Sequence, residues 1–407
     1  MVFLVYNTPM GIPLILFNVF RYGHFVFFTA LHTILMIGIF LEWRRDRRTR
    51  GLDDTEQKVS VIIPIHNESR RMEGLLRTLL VQDYPAEVIF VDDRSSDESP
   101  AMLAQFVQDA QVRGTLDCRI ITLTENPGPN RKQYALSRGI AEAKGDYFLF
   151  TDGDCEVRPD WIRVMARRIH PALSGDEKIG VVIGPVFKKK QGKGFFFLYQ
   201  CYDHIVRYNY LAAAVGLGAA GGGFGNNLIL NKKALQSVGG YDAVPLSPTE
   251  DAALISLIRR GGVYQIRAAA LPDAAVETHA ENSWRAFINQ TLRWNNGGLF
   301  SPENVTRFNY NLLMLIIGAG IIAIPLVPFF PALWPLPTAV LIGMIGNNAA
   351  AFALFRACLP SGGPLVKLGY FLALLFMPVY LTLMTLMGYA GIQVTWKNEG
   401  LKMRNEE

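Results

Sequence analysis

Apolar residues are loaded onto the two ends of this 407-residue chain, with a water-soluble composition between them, and that distribution limits the fold more than any single motif. Residues 25–43 are nearly all apolar and long enough to cross a bilayer, and Arg44, Arg45, Arg47, Arg48 and Arg50 follow at once. The positive-inside rule puts what comes next in the cytoplasm. Residues 1–20 are also apolar but carry Asn7, Pro9, Pro13 and Asn18, which leaves a second span, an interfacial segment and part of a signal anchor open. A cleaved signal peptide is disfavoured, because no small-residue cleavage site follows and the basic cluster stands on the wrong side. At the other end, residues 312–327, 336–355 and 368–389 read as three further membrane segments. Three full crossings would leave the tail opposite the middle of the chain, whereas Lys397, Lys402 and Arg404 argue for the same side. A re-entrant segment near Pro325, Pro328 and Pro331 would reconcile the two.

The expected organisation is therefore an N-terminal membrane segment over residues 1–43, a cytoplasmic domain over 44–300 and a C-terminal transmembrane region over 301–407. Half of the residues are hydrophobic and the mean hydropathy is +0.19, high for a protein solvated by water alone. A net charge of +5, with the basic residues beside apolar segments, gives no nucleic-acid-reading surface. Cys118, Cys155, Cys201 and Cys358 are too scattered for a zinc site or a disulfide framework, and read as free thiols.

The middle opens with a β-branched run over residues 58–64 that fits a buried parallel strand. A helix over 69–82 follows, then strands at 87–91 and 119–123, a helix over 130–143 and a strand at 146–150. Such alternation predicts a Rossmann-like α/β domain with a mostly parallel sheet and its ligand site at the carboxyl ends of the strands.

Five acidic or aromatic motifs then stand in order: Val91-Asp92-Asp93, Thr151-Asp152-Gly153-Asp154, Thr249-Glu250-Asp251, Gln290-x-x-Arg293-Trp294 and Val394-Thr395-Trp396-Lys397. Asp152 and Asp154, two residues apart at a strand tip, are hard oxygen ligands able to share Mg²⁺ or Mn²⁺. Arg131 and Lys132 open a helix, where N–H groups and basic side chains suit a diphosphate; Arg131 also reads as an ordinary surface residue. Glu250 and Asp251 also read as acidic residues in a first helical turn, and Asp97 as a helix cap. Gln290, Arg293 and Trp294 share a helical face, and an interfacial tryptophan with a snorkelling arginine is the competing reading. Lys188, Lys189, Lys190 and Lys193, followed by Phe195, Phe196, Phe197 and Tyr199, read as an interfacial helix on anionic lipid. His279 reads as structural or as a ligand contact. The glycines from Gly216 to Gly221 precede a strand rather than a helix, which excludes a nicotinamide fingerprint.

In this order the motifs resemble the membrane-bound family 2 glycosyltransferases, which have a GT-A fold. The resemblance implies that Pro64, Glu68, Asp92 and Asp93 bind the nucleoside of a nucleotide sugar, with UDP the default. It implies that Lys132, Asp152 and Arg293 meet the diphosphate and that Asp152 and Asp154 hold the metal; here Asn130-Arg131 replaces the glycine that precedes the family's lysine. Asp251 is implied as general base of an inverting transfer. Glu250, Asn226, Gln290 and Trp294 are implied at the acceptor, and Thr395, Trp396 and Lys397 as a gating segment. With about four apolar segments, a membrane lipid is the favoured acceptor. A processive polysaccharide synthase resembling cellulose or hyaluronan synthases, and a non-catalytic membrane scaffold, are the alternatives.

Overall fold

The computed structural model describes residues 11–52, 57–125, 130–170, 178–247 and 249–392, and the backbone of 395–396 and 399–400. Asn7, Pro9, Val394, Lys397, Lys402 and Arg404 lie outside the described residues. In chain order the elements are α1 (Gly11–Arg48), β1 (Val59–Ile65), α2 (Glu73–Leu79), β2 (Ala86–Asp93), α3 (Ser99–Arg113), β3 (Leu116–Leu123), α4 (Arg131–Glu142), β4 (Tyr147–Phe150), β5 (Cys155–Glu156) and α5 (Trp161–Arg168). They continue with β6 (Lys178–Ile183), β7 (Val186–Lys188), α6 (Gly194–Gly216), β8 (Leu228–Asn231), α7 (Lys232–Gln236), α8 (Glu250–Gly261), β9 (Tyr264–Ala268) and β10 (Val276–Thr278). The last are α9 (Trp284–Leu299), α10 (Asn304–Ala323), α11 (Pro335–Phe355), α12 (Pro364–Tyr389), β11 (Thr395–Trp396) and β12 (Glu399–Gly400).

Seven strands form one sheet in the order β3-β2-β1-β4-β8-β6-β9, parallel except for β8, which runs antiparallel to both neighbours. The apolar run of β1 feeds two cores because successive side chains leave opposite faces of a strand. Val59, Val61, Ile63 and Ile65 join the α3 and α5 side with Leu103 and Trp161, whereas Ile62 joins the α4 side with Ala135 and Leu136. After β1 the chain moves through β2 and β3 in one direction, while β4 pairs on the other flank of β1. That reversal opens a crevice at the strands' carboxyl ends.

The acidic strand is longer than the sequence suggests, since β2 runs on to Asp93 and Asp92 pairs with Ile65. The helix expected over 69–82 is confined to Glu73–Leu79, because residues 69–72 turn to meet the β2–α3 loop.

At the N-terminus, one unbroken helix replaces the open choice of segments for the described part of residues 1–20. Four described helices are long and apolar enough to cross a membrane: α1, α10, α11 and α12, the first three extended by short flanking turns. The foot of α1 is locked onto the sheet domain. Arg168 binds both carboxylate oxygens of Asp46, at 2.7 and 3.2 Å, and also Asp273, while Glu42 accepts the Ala268 N–H at 2.9 Å.

The path of α12 is set by the helices it packs against. α11 ends with Phe355 packed on Phe187 and Tyr208, and Lys190 donates to the Ala357 carbonyl. α12 then lies lengthwise beside α9, with Tyr380 on Phe287, Met384 on Thr291 and Gly388 against Asn296 and Leu299. It finishes with Tyr389 against Phe300 and Asn311. Its last turn thus lies beside the first half of α10 and the end of α9.

One surface expectation is corrected in part, since Lys190 and Lys193 are exposed but Lys188, Lys189 and the aromatic residues that follow are not. Lys188 and Lys189 are buried, with Lys188 donating to the His279 carbonyl and Lys189 paired with Glu156 at 2.7 Å. Phe195 and Phe196 face Phe376 and Trp284 rather than open lipid. Partners distant in sequence claim these side chains.

Candidate active site

The crevice is built from loops that leave the strand ends. Pro64 falls two residues past Ile62, the last β1 position paired with β4, so its missing N–H breaks no bond of that ladder. Asn67 and Arg94 adopt left-handed backbone at φ +54°, a conformation asparagine tolerates better than most residues. The two loops are tied together: Ser96 N–H donates to Asn67 Oδ1 at 2.8 Å and Glu68 N–H to Ser99 Oγ at 2.9 Å. Asp97 accepts the N–H groups of Ser99 and Ser69. Burial works against its charge, but these hydrogen bonds dominate and hold its carboxyl well below the usual range, so capping is its role. Asp92 accepts the Ser95 N–H at 3.1 Å, and Asp93 pairs with Arg94 at 2.9 Å. Both carboxylates are buried.

At the tip of β4 a Cβ on Gly153 would stand 2.7 Å from Ile65 Cδ1 and 3.1 Å from Glu68 Cγ. Only glycine lets the Asp152–Asp154 turn sit this close to the first strand. Lys132, at the start of α4, reaches across to Asp152 Oδ1 at 2.8 Å and Glu250 Oε1 at 3.2 Å. Burial opposes its charge, but Asp152, Glu250 and Asp251 outweigh it and hold the ammonium protonated. Arg131 is buried rather than an ordinary surface residue.

Asp154 accepts from Thr278 Oγ1 at 3.3 Å and lies 3.9 Å from Arg71. Cys155 is fully buried, and that burial and the neighbouring carboxylates push its thiol well up, which suits packing rather than metal ligation. The described residues contain no cluster of three or more His, Cys, Asp or Glu that could hold a metal alone. Two half-buried carboxylates nonetheless fit a divalent cation completed by substrate phosphates, the usual manner of Mg²⁺.

Asp251 sits in the first turn of α8 with its carboxylate clamped, Oδ2 accepting the Gly225 N–H at 2.7 Å and Oδ1 the Ala252 N–H at 2.8 Å. A Cβ on Gly225 would lie 3.2 Å from Asp251 Cβ, so the loop must be small there. Burial, then the Glu250 charge, pushes the Asp251 carboxyl up, while Lys132 and the two N–H donors pull it back. Asn226 reaches Cys155 Sγ at 3.8 Å, whereas Asn227 is structural, bonded to Trp161, Pro185 and Ala274.

Gln290, Arg293 and Trp294 lie on α9 as expected. Gln290 donates to Glu281 at 3.1 Å, and Trp294 meets His204 edge-on at 5.4 Å between centroids. A Cβ on Gly297 would stand 2.6 Å from Thr249 Oγ1, so α9 is seated directly on the start of α8. β11 passes beside α9 and pairs with β12; the side chains of Thr395 and Trp396 are outside the described residues. Arg71, Thr278 and Gly297 were not singled out by their sequence surroundings, because only the folded sheet brings them to the carboxylates.

A mostly parallel sheet with an Asp-x-Asp turn at its switch point and a second carboxylate pair facing it defines the GT-A class. Residues 60–239, a little under half of the chain, match Glycosyl transferase family 2. A probable glycosyltransferase, YdaM of Bacillus subtilis (strain 168), is 27% identical over 256 residues, covering 60% of this chain and 56% of the relative. An undecaprenyl-phosphate 4-deoxy-4-formamido-L-arabinose transferase of Yersinia pestis (strain Pestoides F) is 32% identical over 138 residues, 32% of this chain and 38% of that protein. This chain thus spans about half the length of these curated relatives, or less. Among solved structures, the mannosyltransferase PcManGT from Pyrobaculum calidifontis, in complex with GDP-Man and Mn²⁺, shares the fold. Its TM-score is 0.50 at 19% identity, covering 92% of this chain and 100% of that one.

Proposed function

We propose that this chain is an inverting, metal-dependent glycosyltransferase that moves a sugar from a nucleotide-sugar donor, UDP-linked by resemblance, to a hydroxyl of a membrane lipid at the cytoplasmic face. The observation that carries the reading is the ion-pair chain Asp152–Lys132–Glu250, which joins the β4 tip to the turn that clamps Asp251. Pro64, Glu68, Asp92 and Asp93 line the nucleoside side, and Lys132 and Arg293 meet the diphosphate. Asp152 and Asp154 would hold Mg²⁺ or Mn²⁺, which when bound neutralises the departing nucleoside diphosphate.

Asp251 takes the proton of the acceptor hydroxyl as its oxygen forms a bond to the anomeric carbon and the bond to the diphosphate breaks. A single displacement inverts that carbon. A carboxyl pushed up by burial and the Glu250 charge holds a proton more readily, and so is a better-matched base, than an ordinary aspartate. Trp294, Gln290, Asn226 and Glu250 position the acceptor, and Thr395, Trp396 and Lys397 close over the donor. The name of the Yersinia relative supports a lipid-linked reaction, and the Pyrobaculum complex supports a metal and a nucleotide sugar.

The test supplies full-length protein in lipid with labelled nucleotide sugars and Mg²⁺ or Mn²⁺, then separates products by organic extraction and size. One extractable labelled species is expected, lost in Asp251→Asn while nucleotide binding persists. A high-molecular-weight ladder would make the protein a polymer synthase, and nucleotide binding without transfer would make it a scaffold.

A further inference from the structure

We infer that α6 supplies an acceptor head-group subsite through Asp203 and His204, and that this subsite selects neutral hydroxyls, as on a sugar or polyol, over a phosphate. The inference rests on the glycosyl-transfer reading above and adds the acceptor class. α6 is an apolar, aromatic helix wedged between the sheet domain and the long apolar helices, which makes charged residues inside it expensive. Asp203 is 0% exposed and His204 3%. Both lie beside Trp294: the His204 ring meets it at 5.4 Å, and the Arg207 guanidinium, bonded to Asp203 Oδ2 at 2.7 Å, stands 5.9 Å from its centroid.

The polar atoms here have a definite polarity. His204 Nδ1 is 3.3 Å from the Val186 carbonyl, which can only accept, so Nδ1 carries the hydrogen. Burial and the nearby Lys188 ammonium keep the ring neutral, which leaves Nε2 as a bare lone pair. Among the described residues, that Nε2, Asp203 Oδ1 and Gln290 Oε1 are buried acceptors with no hydrogen-bond partner, and Asn295 Nδ2 and Arg207 Nη2 are buried donors in the same condition. Gln290 is fixed in this sense because its amide N–H donates to Glu281.

A hydroxyl both donates and accepts, so a polyhydroxyl head group can answer this mixed set. A phosphate monoester dianion has no proton to give and would leave the Asp203 carboxylate and the His204 lone pair unanswered, and Arg207, paired through Nε with Asp203, offers it only the single free Nη2. The set also lies close to the reaction centre. The His204 ring is 6.3 Å from that of Phe224, and the next residue, Gly225, holds Asp251.

The test uses full-length protein in nanodiscs with labelled nucleotide sugar and three probes: glucosyl-diacylglycerol, undecaprenyl phosphate and a free hexose oligosaccharide. Transfer to glucosyl-diacylglycerol over undecaprenyl phosphate is expected. His204→Phe should raise its KM about tenfold, the value of one hydrogen bond. Nucleotide affinity should hold, and His204→Gln, which restores an acceptor, should recover most of the loss. Transfer to the oligosaccharide as well supports the same hydroxyl chemistry from a soluble source. Preference for undecaprenyl phosphate overturns the inference while leaving glycosyl transfer standing, as does an unchanged KM in a folded His204→Phe protein. Absence of any nucleotide-sugar binding overturns the transferase reading itself. The wild-type preference decides the matter even if His204→Phe fails to fold.

Discussion

Lys132 stands among three carboxylates, and replacing it with methionine tests whether they are coupled as the distances imply. Its Nζ is 2.8 Å from Asp152 and 3.2 Å from Glu250. At an effective dielectric of ~20, unit charges at such separations attract by about 5 to 6 kcal/mol before desolvation. Water reaches all three side chains to some degree, so the net contribution to stability is a small part of that. The effect persists in the protonation of Asp251, where an opposite charge within a few ångströms lowers a carboxyl by about 1 to 3 units. Lys132→Met should therefore move the acid limb of the kcat profile upward by about one unit, equivalent to about 1.4 kcal/mol. The sign follows from the base mechanism: Asp251 works only when ionised, so activity falls as pH drops through its pKa, and a higher pKa moves that fall to higher pH. Glu250→Gln removes a like charge and should move the limb the other way. The assay is nucleoside diphosphate release at saturating donor, metal and acceptor lipid across about pH 4 to 8. Limbs that stay put, or shift in the same direction in both variants, would refute Asp251 as the titrating base.

Three further outcomes are expected. Gly153→Ala brings a methyl within 2.7 Å of Ile65 Cδ1, and should weaken Mn²⁺-dependent nucleotide binding, read by titration, more than it lowers the melting temperature. Arg168→Leu strands the buried Asp46 carboxylate at the foot of α1, while Asp273 keeps Arg50, and should cost about 3 to 5 kcal/mol in thermal unfolding in detergent, with activity lost in proportion to unfolding. Asp97→Ala removes two N–H acceptors from the β2–α3 loop and should cost about 1 kcal/mol, seen as a modest fall in melting temperature with unchanged metal dependence.

Much of the sheet was readable because β1, β2 and β4 are apolar, β-branched or aromatic runs bounded by turn residues, a pattern that local sequence carries by itself. The Asp-x-Asp turn and Glu250-Asp251 were readable from their place after a strand and before a helix. Boundaries slipped where distant partners decide them. β2 keeps Asp92 and Asp93 because β1 and β3 continue beside it, and residues 69–72 leave the helix because Asp97 and Ser99 bind that turn. Lys188 and Lys189 misled because their counter-charge and carbonyl, Glu156 of β5 and His279 just after β10, are distant in sequence. Asp203 and His204 did leave a signal, two ionisable residues inside the aromatic run of α6, but a helix wheel cannot say which neighbours they will face.

At 38 residues without a break, α1 is about 57 Å long, nearly twice the ~30 Å of bilayer hydrocarbon, and its foot is bolted to the sheet domain through Asp46. In the reading proposed above this makes it a mast rather than a tether. The base would then be carried at a set height over the membrane plane, and the length of an acceptor's head group would act as a gauge: only a hydroxyl held at that height would meet Asp251.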